Sequence, residues 1–166
     1  MLRLGYPRKT LREVGMNLYL DTEFDGHNGE LISLALAAEE GKHWYGINPD
    51  IDQPNADPWV KDHVLPVLHA MPETAGVAGF SDRPEFRASL KEYLLARPGA
   101  TIWADWPADF EWLMAAMCGD SYAESFMIPC TMQLIVTPVG EPKPEVPHNA
   151  LSDAIALMDW HKRQPL

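Results

Sequence analysis

The sequence predicts an α/β fold: a mixed β-sheet, a three-strand antiparallel meander extended by parallel strands, with helices packed on it. Three observations carry this. Short apolar runs of strand character come first, joined by turn signals. Helical spacing begins only after Pro58. A further strand, Thr101–Ala104, then falls between two helical stretches. The chain has 166 residues, a single-domain length. It can bury a core without disulfides or a structural metal. Residues 1–15 read as an extension ahead of a domain over residues 16–166.

Each element has a local reason. Met16–Leu20 reads as a buried strand running into Asp21-Thr22-Glu23-Phe24, and the polar, glycine-containing stretch after it reads as a turn. Leu31–Leu36 and His43–Ile47 are the next strands, with Glu39-Glu40-Gly41 as the turn between them. Val60, Val64, Leu65 and Leu68 have helical spacing, and Pro66 should kink or split that helix. Asp82 with Glu85 resembles a capping box, Pro84 is tolerated in a first turn, and Phe86, Leu90 and Leu94 share one face. Asp105-Trp106-Pro107 breaks the Thr101–Ala104 strand. A helix follows through Phe110, Leu113, Met114 and Met117, with Gly119 as its C-terminal cap. A short helix is expected around Thr131–Val136, a proline-rich loop after it, and a last helix opened by His148 and ending near Trp160.

Composition excludes several classes. A hydrophobic fraction of 46% is far from disorder. No apolar run approaches the roughly 20 residues that span a bilayer, and the N-terminus lacks the apolar stretch of a secretory signal. Cys118 and Cys130 are not at zinc-ligand or redox-motif spacing, which points to a reduced, cytoplasmic setting. The net charge is −11, with 24 acidic and 13 basic residues. Such a chain should not coat duplex nucleic acid by charge alone. It can act on phosphates if divalent cations lie between them and its carboxylates.

Asp21 and Glu23 are two apart on a strand, so both side chains point the same way with no basic residue between them. Like charges that close repel unless a cation neutralises them, and a hard divalent ion with oxygen ligands suits the task. The second Asp-x-Glu, Asp109-Phe110-Glu111, lies in a helical pattern where positions i and i+2 diverge. Asp109 and Glu111 should therefore act singly. Asp105 and Asp109 follow the later strand, and His148 precedes Asp153 at the start of the final helix. Each motif is short. A carboxylate in a first helical turn is favoured by the helix dipole whatever its role.

In this order the motifs resemble the DEDDh branch of the DnaQ-like 3′–5′ exonucleases, on a ribonuclease H-like fold. Asp21-Thr22-Glu23-Phe24 matches the first motif. Asp105 to Asp109 matches the second, with Asp105 in place of Asn and Ala108 in place of an aromatic. His148, Ala150 and Asp153 match the third. Glu30-Leu31-Ile32-Ser33, Trp59-Val60 with His63–Pro66, and Trp103-Ala104 make the chain similar, within that branch, to the polyadenylate-specific exoribonuclease AS group.

The resemblance implies hydrolysis with two divalent cations, magnesium or manganese, held by Asp21, Glu23, Asp109 and Asp153. Asp21 would bridge them, Glu23 and Asp153 would hold one and Asp109 the other, with Asp105 as the fallback. His148 would be the general base, a role suited to a side chain whose ordinary pKa is about 6.5. Phe24, then Trp106, are candidates for stacking on a base, and Glu30 for contacting the terminal nucleotide. The implied substrate is a single-stranded RNA 3′ end, with release of nucleoside 5′-monophosphates. A DNA-directed exonuclease, a phosphodiesterase for short oligonucleotides and a non-catalytic binding module remain open. Many proteins of this resemblance are homodimers, although no stripe in the sequence marks an interface, and no membrane partner is expected.

Overall fold

The structure, a computed structural model, describes residues 16–26, 29–70, 79–136 and 140–164. The expected N-terminal extension, residues 1–15, lies outside the described residues. Strands β1 (Asn17–Phe24), β2 (Leu31–Ala38), β3 (Trp44–Ile47), β4 (Thr101–Ala104) and β5 (Thr131–Leu134) form one sheet in the spatial order β3-β2-β1-β4-β5. The β1–β2 and β2–β3 pairs are antiparallel, whereas β1–β4 and β4–β5 are parallel. Among the described residues four α-helices accompany it: α1 (Pro58–His63), α2 (Arg83–Leu95), α3 (Pro107–Cys118) and α4 (Ala150–Lys162). This is a ribonuclease H-like α/β arrangement, as the order of elements in the sequence predicts. Among the described residues no helix is long and apolar enough to cross a membrane.

Alternation along the strands builds two cores, one on each face of the sheet. Leu18 and Leu20 of β1 point into the core that holds Phe86, Leu90 and Leu94 of α2 and Leu113 and Met117 of α3. Tyr19, between them, points into the core that holds Val60 of α1 and Leu151, Ala154 and Leu157 of α4. Every residue of β2 is buried, which explains why Leu31–Ala38 reads as a continuous apolar run rather than an alternating one.

Two local expectations are corrected and one is met. The segment Thr131–Leu134 is a strand, not a helix: it pairs in parallel with β4, and its backbone fills the donors and acceptors of that strand's open side. Its side chains are largely exposed, so no buried face imprinted a period on its sequence. The stretch from Trp59 to His69 is split, as Pro66 predicts. It divides into α1 and a 3₁₀ turn at Leu65–Val67, because Pro66 has no N–H to continue the ladder. His148 does not open α4. It lies one residue before the cap, with a left-handed backbone (φ 63°).

That cap is Asn149, fully buried. Its Oδ1 accepts from the N–H groups of Leu151 and Ser152, both at 3.2 Å, and its Nδ2 donates to the Val67 carbonyl at 2.8 Å. One side chain thus starts α4 and ties it to the turn after α1. Replacing Asn149 with Ala should cost about 1–3 kcal/mol in urea unfolding, since it removes a cap and the Asn149 bond to the Val67 carbonyl, which keeps only the Ala70 N–H. Asn149→Ser, which restores the cap alone, should recover only part of the loss. A cost below about 0.5 kcal/mol for Asn149→Ala, less than a lone cap is ordinarily worth, would contradict this role.

Candidate active site

Parallel strands end in the same direction, so β1 and β4 deliver their last residues to one edge of the sheet. Asp21 and Glu23 belong to the final half of β1. Asp105 follows β4 directly, Asp109 lies in the first turn of α3, and Asp153 in the first turn of α4. These carboxylates form two overlapping groups. Oxygens of Asp21, Glu23 and Asp153 lie within 4.8 Å of one another, and so do oxygens of Asp21, Asp105 and Asp109. Asp21 is common to both.

Alternation explains how opposite layers meet here. Thr22 points away from its neighbours, toward α3, and holds Asp109: the Asp109 Oδ1 accepts from the Thr22 N–H at 3.1 Å and from the Thr22 hydroxyl at 2.8 Å. Asp109 is only 2% exposed, and its Oδ2, like that of Asp153, is buried without a hydrogen-bond partner. None of the ion pairs among the described residues involves these five carboxylates. Unpaired, buried oxygens facing one another fit hard divalent cations, which take oxygen ligands.

The electrostatics agree. Desolvation first, then the charges of Asp109, Glu23, Asp153 and Asp105, holds the Asp21 carboxyl well above the ordinary range. Desolvation, with Asp153 and Asp109 nearby, pushes Glu23 up to about 8. Asp109 rises to about 7 through desolvation, opposed by its bonds to Thr22. Asp153 rises to about 6 by desolvation, opposed by the backbone amides of Asn149 and His148. Desolvation raises Asp105 as well.

Beside the carboxylates lies a cleft of about 760 Å³, lined by Glu23, Phe24, Trp59, Trp106, Glu111 and Trp112 among others. Phe24 stands 6.0 Å from Trp112 between ring centroids, and Trp106 is 61% exposed. The structure therefore brings Phe24 and Trp106 to the same cleft as Glu23. Glu30 is exposed before β2 and lines a separate cavity of about 320 Å³ instead. The His148 ring meets Trp59 edge-on, 4.9 Å between centroids. Sequence reasoning missed Thr22, Trp59 and Trp112. Thr22 was legible from alternation between two acidic residues. Trp59 entered only through the motif resemblance and Trp112 not at all, because nothing local shows which helix faces the cleft.

Over 81 residues the chain is 40% identical to the 3′-5′ exoribonucleases of two strains of Mycobacterium tuberculosis, a stretch covering 48% of this chain and 46% of each relative. The match thus spans about half the length of these curated relatives, and over that half the chain is a distant homologue of exoribonucleases. No family model matches the chain.

A carboxyl whose pKa is higher folded than unfolded keeps its proton longer in the folded state. Stability is therefore lost as pH rises above about 4, where the unfolded carboxyls ionise. The loss should continue up to the folded value of about 8 for Glu23. The metal-free protein should melt at progressively lower temperature across that window, and manganese should raise the melting temperature more at pH 8 than at pH 5. Calorimetry across pH checks this; a metal-free stability that rises from pH 5 to 8 would contradict it.

Proposed function

We propose that the chain is a metal-dependent 3′–5′ exoribonuclease that releases nucleoside 5′-monophosphates from single-stranded RNA 3′ ends. The observation that carries this is the pair of carboxylate groups sharing Asp21. The partial identity to mycobacterial exoribonucleases supports both the reaction class and the RNA substrate. The finer placement, with the polyadenylate-specific group, rests on the motif resemblance alone.

In this reading Asp21, Glu23 and Asp153 hold one divalent cation, and Asp21 and Asp109, beside Asp105, hold the second. Bound there, magnesium or manganese supplies positive charge that neutralises the site and stabilises charge building on the attacked phosphate. His148 takes a proton from water as the water oxygen bonds to phosphorus. The bond from phosphorus to the 3′ oxygen of the penultimate nucleotide breaks, and the last nucleotide leaves with its 5′-phosphate. Phe24, with Trp106 at the rim, offers a ring for the terminal base, a contact that tolerates any sequence. Thr22 acts through Asp109, fixing one of its oxygens so that the other is left for the cation.

A second reading, a phosphodiesterase for very short oligonucleotides, is favoured by the cleft lining, which includes Glu23, Asp57 and Glu111 and, among the described residues, no lysine or arginine. At a net charge of −11 the protein has little to grip a long polyanion with.

Labelled RNA and DNA strands of graded length, incubated with manganese, magnesium or EDTA, separate these readings. RNA should shorten stepwise from its 3′ end only with metal, and cleavage confined to two- or three-nucleotide substrates would favour the second reading. Asp21→Asn should abolish turnover while leaving the circular dichroism spectrum intact. His148→Ala should lower turnover by about 10²–10⁴, the usual contribution of a general base. Near wild-type turnover in Asp21→Asn would remove the site. Asp109→Ala should cost more than Asp105→Ala, and the reverse ranking would move the second-motif ligand to Asp105.

A further inference from the structure

Helix α1 is short, yet it presents two rings one turn apart on the same side. The indole of Trp59 and the imidazole of His63 stack face to face, with centroids 4.7 Å apart and planes 13° apart. The His63 Nδ1 lies 2.8 Å from the Trp59 carbonyl oxygen. A carbonyl only accepts, so in this bond Nδ1 carries the proton, and the bond fixes the plane of the His63 ring against the indole. The loop before α4 then brings in His148, whose ring stands edge-on to both. It makes 79° with Trp59 at 4.9 Å and 88° with His63 at 6.1 Å.

Other restraints on His148 act on its backbone. Its left-handed φ of 63° is held by the next residue, Asn149, which caps α4 and bonds the Val67 carbonyl. No hydrogen bond reaches the His148 imidazole among the described residues. A general base is ordinarily oriented by a third polar group bonded to it. Here the contacts that reach the ring are the edge-on approaches of Trp59 and His63. An edge-to-face arrangement is a preferred geometry for such rings, since the positive edge of one meets the negative face of another.

We infer that the Trp59–His63 stack is the positioning element for His148, with Trp59 bracing the ring directly and His63 backing Trp59. This rests on the reading of His148 as general base. Trp59 is 48% exposed and His63 is exposed, so neither is an interior residue on which folding depends. Their spacing from Trp59 to His63 is one helical turn, the separation at which side chains on a helix meet. The break after α1 lets the chain turn and deliver the Val67 carbonyl to Asn149, next to His148.

The test is steady-state kinetics with manganese on a single-stranded RNA oligonucleotide, for wild type, Trp59→Ala, Trp59→Phe, His63→Ala, His148→Ala and the double variant Trp59→Ala/His148→Ala. Misplacing a catalytic group by an ångström costs up to about a hundredfold, so Trp59→Ala should lower kcat by about tenfold to a hundredfold, with His63→Ala lowering it less. KM should change less than kcat, because the contact that matters is to the His148 ring, although Trp59 also lines the cleft. Trp59→Phe, which keeps an aromatic face, should restore most of kcat. In the His148→Ala background, Trp59→Ala should change kcat by less than about twofold, since coupled positions are not additive.

Melting temperatures close to wild type should accompany these effects. If Trp59→Ala does not fold, His63→Ala with and without His148→Ala reads the same coupling. A rise in KM at constant kcat would overturn the inference, and so would an equal loss of kcat in both backgrounds. His148→Ala at wild-type turnover would remove the general-base reading and this inference together. A large loss for His148→Ala with none for Trp59→Ala would overturn this inference alone.

Discussion

Asp21, Glu23, Asp105, Asp109 and Asp153 crowd one edge of the sheet, Asp109 buried and the others partly so, without a basic partner among the described ion pairs. Left as they are, the site works against the fold: desolvation raises every one of the five pKa values, and repulsion from neighbouring carboxylates adds to the rise of Asp21, Glu23, Asp109 and Asp153. The rest of the molecule can be understood as the scaffold that holds this arrangement together. The two cores clamp the sheet from both faces, and the parallel β1–β4 pair aligns two strand ends. The helices α3 and α4 then bring the first turns that carry Asp109 and Asp153. Placing those carboxylates at helix N-termini offsets a little of the repulsion, because the dipole favours negative charge there.

The second constraint is the division of labour between odd and even positions of β1. Leu18, Leu20 and Thr22 face the layer of α2 and α3, and Tyr19 faces the layer of α1 and α4. A carboxylate at each of positions 21 and 23 therefore continues the Tyr19 side, where α4 supplies Asp153. Thr22 reaches across to fix Asp109. A one-residue slip of register would reverse this assignment. The fully buried β2 holds the register through its pairing with β1, where Asp21 lies opposite Ala35 and Glu23 opposite Ser33.

Much of this was legible in the sequence. The meander, the β4 strand and the cap at Asp82 follow from turn residues, alternation and a first-turn acid; Asp82 accepts from the Glu85 N–H at 2.8 Å. The Glu85 side chain turns to Ser81 instead of closing the capping box. Where sequence reasoning failed, the cause was tertiary. Residues 131–134 form a strand because β4 needs a partner, not because of any internal period. Asp105 was ranked behind Asp109 on motif register, yet the structure sets both beside Asp21, since one ends a strand and the other begins the next helix. The contact of Trp59 and His63 with His148 joins segments 85 to 89 residues apart, and no local pattern encodes that meeting.

The central claim is that the crowded carboxylates exist to hold divalent cations. The most direct measurement is an anomalous difference map from a crystal grown or soaked with manganese and a nucleoside 5′-monophosphate. The account predicts two manganese peaks: one among Asp21, Glu23 and Asp153, the other among Asp21, Asp105 and Asp109. Peaks elsewhere on this acidic surface, with none between these oxygens, would contradict it.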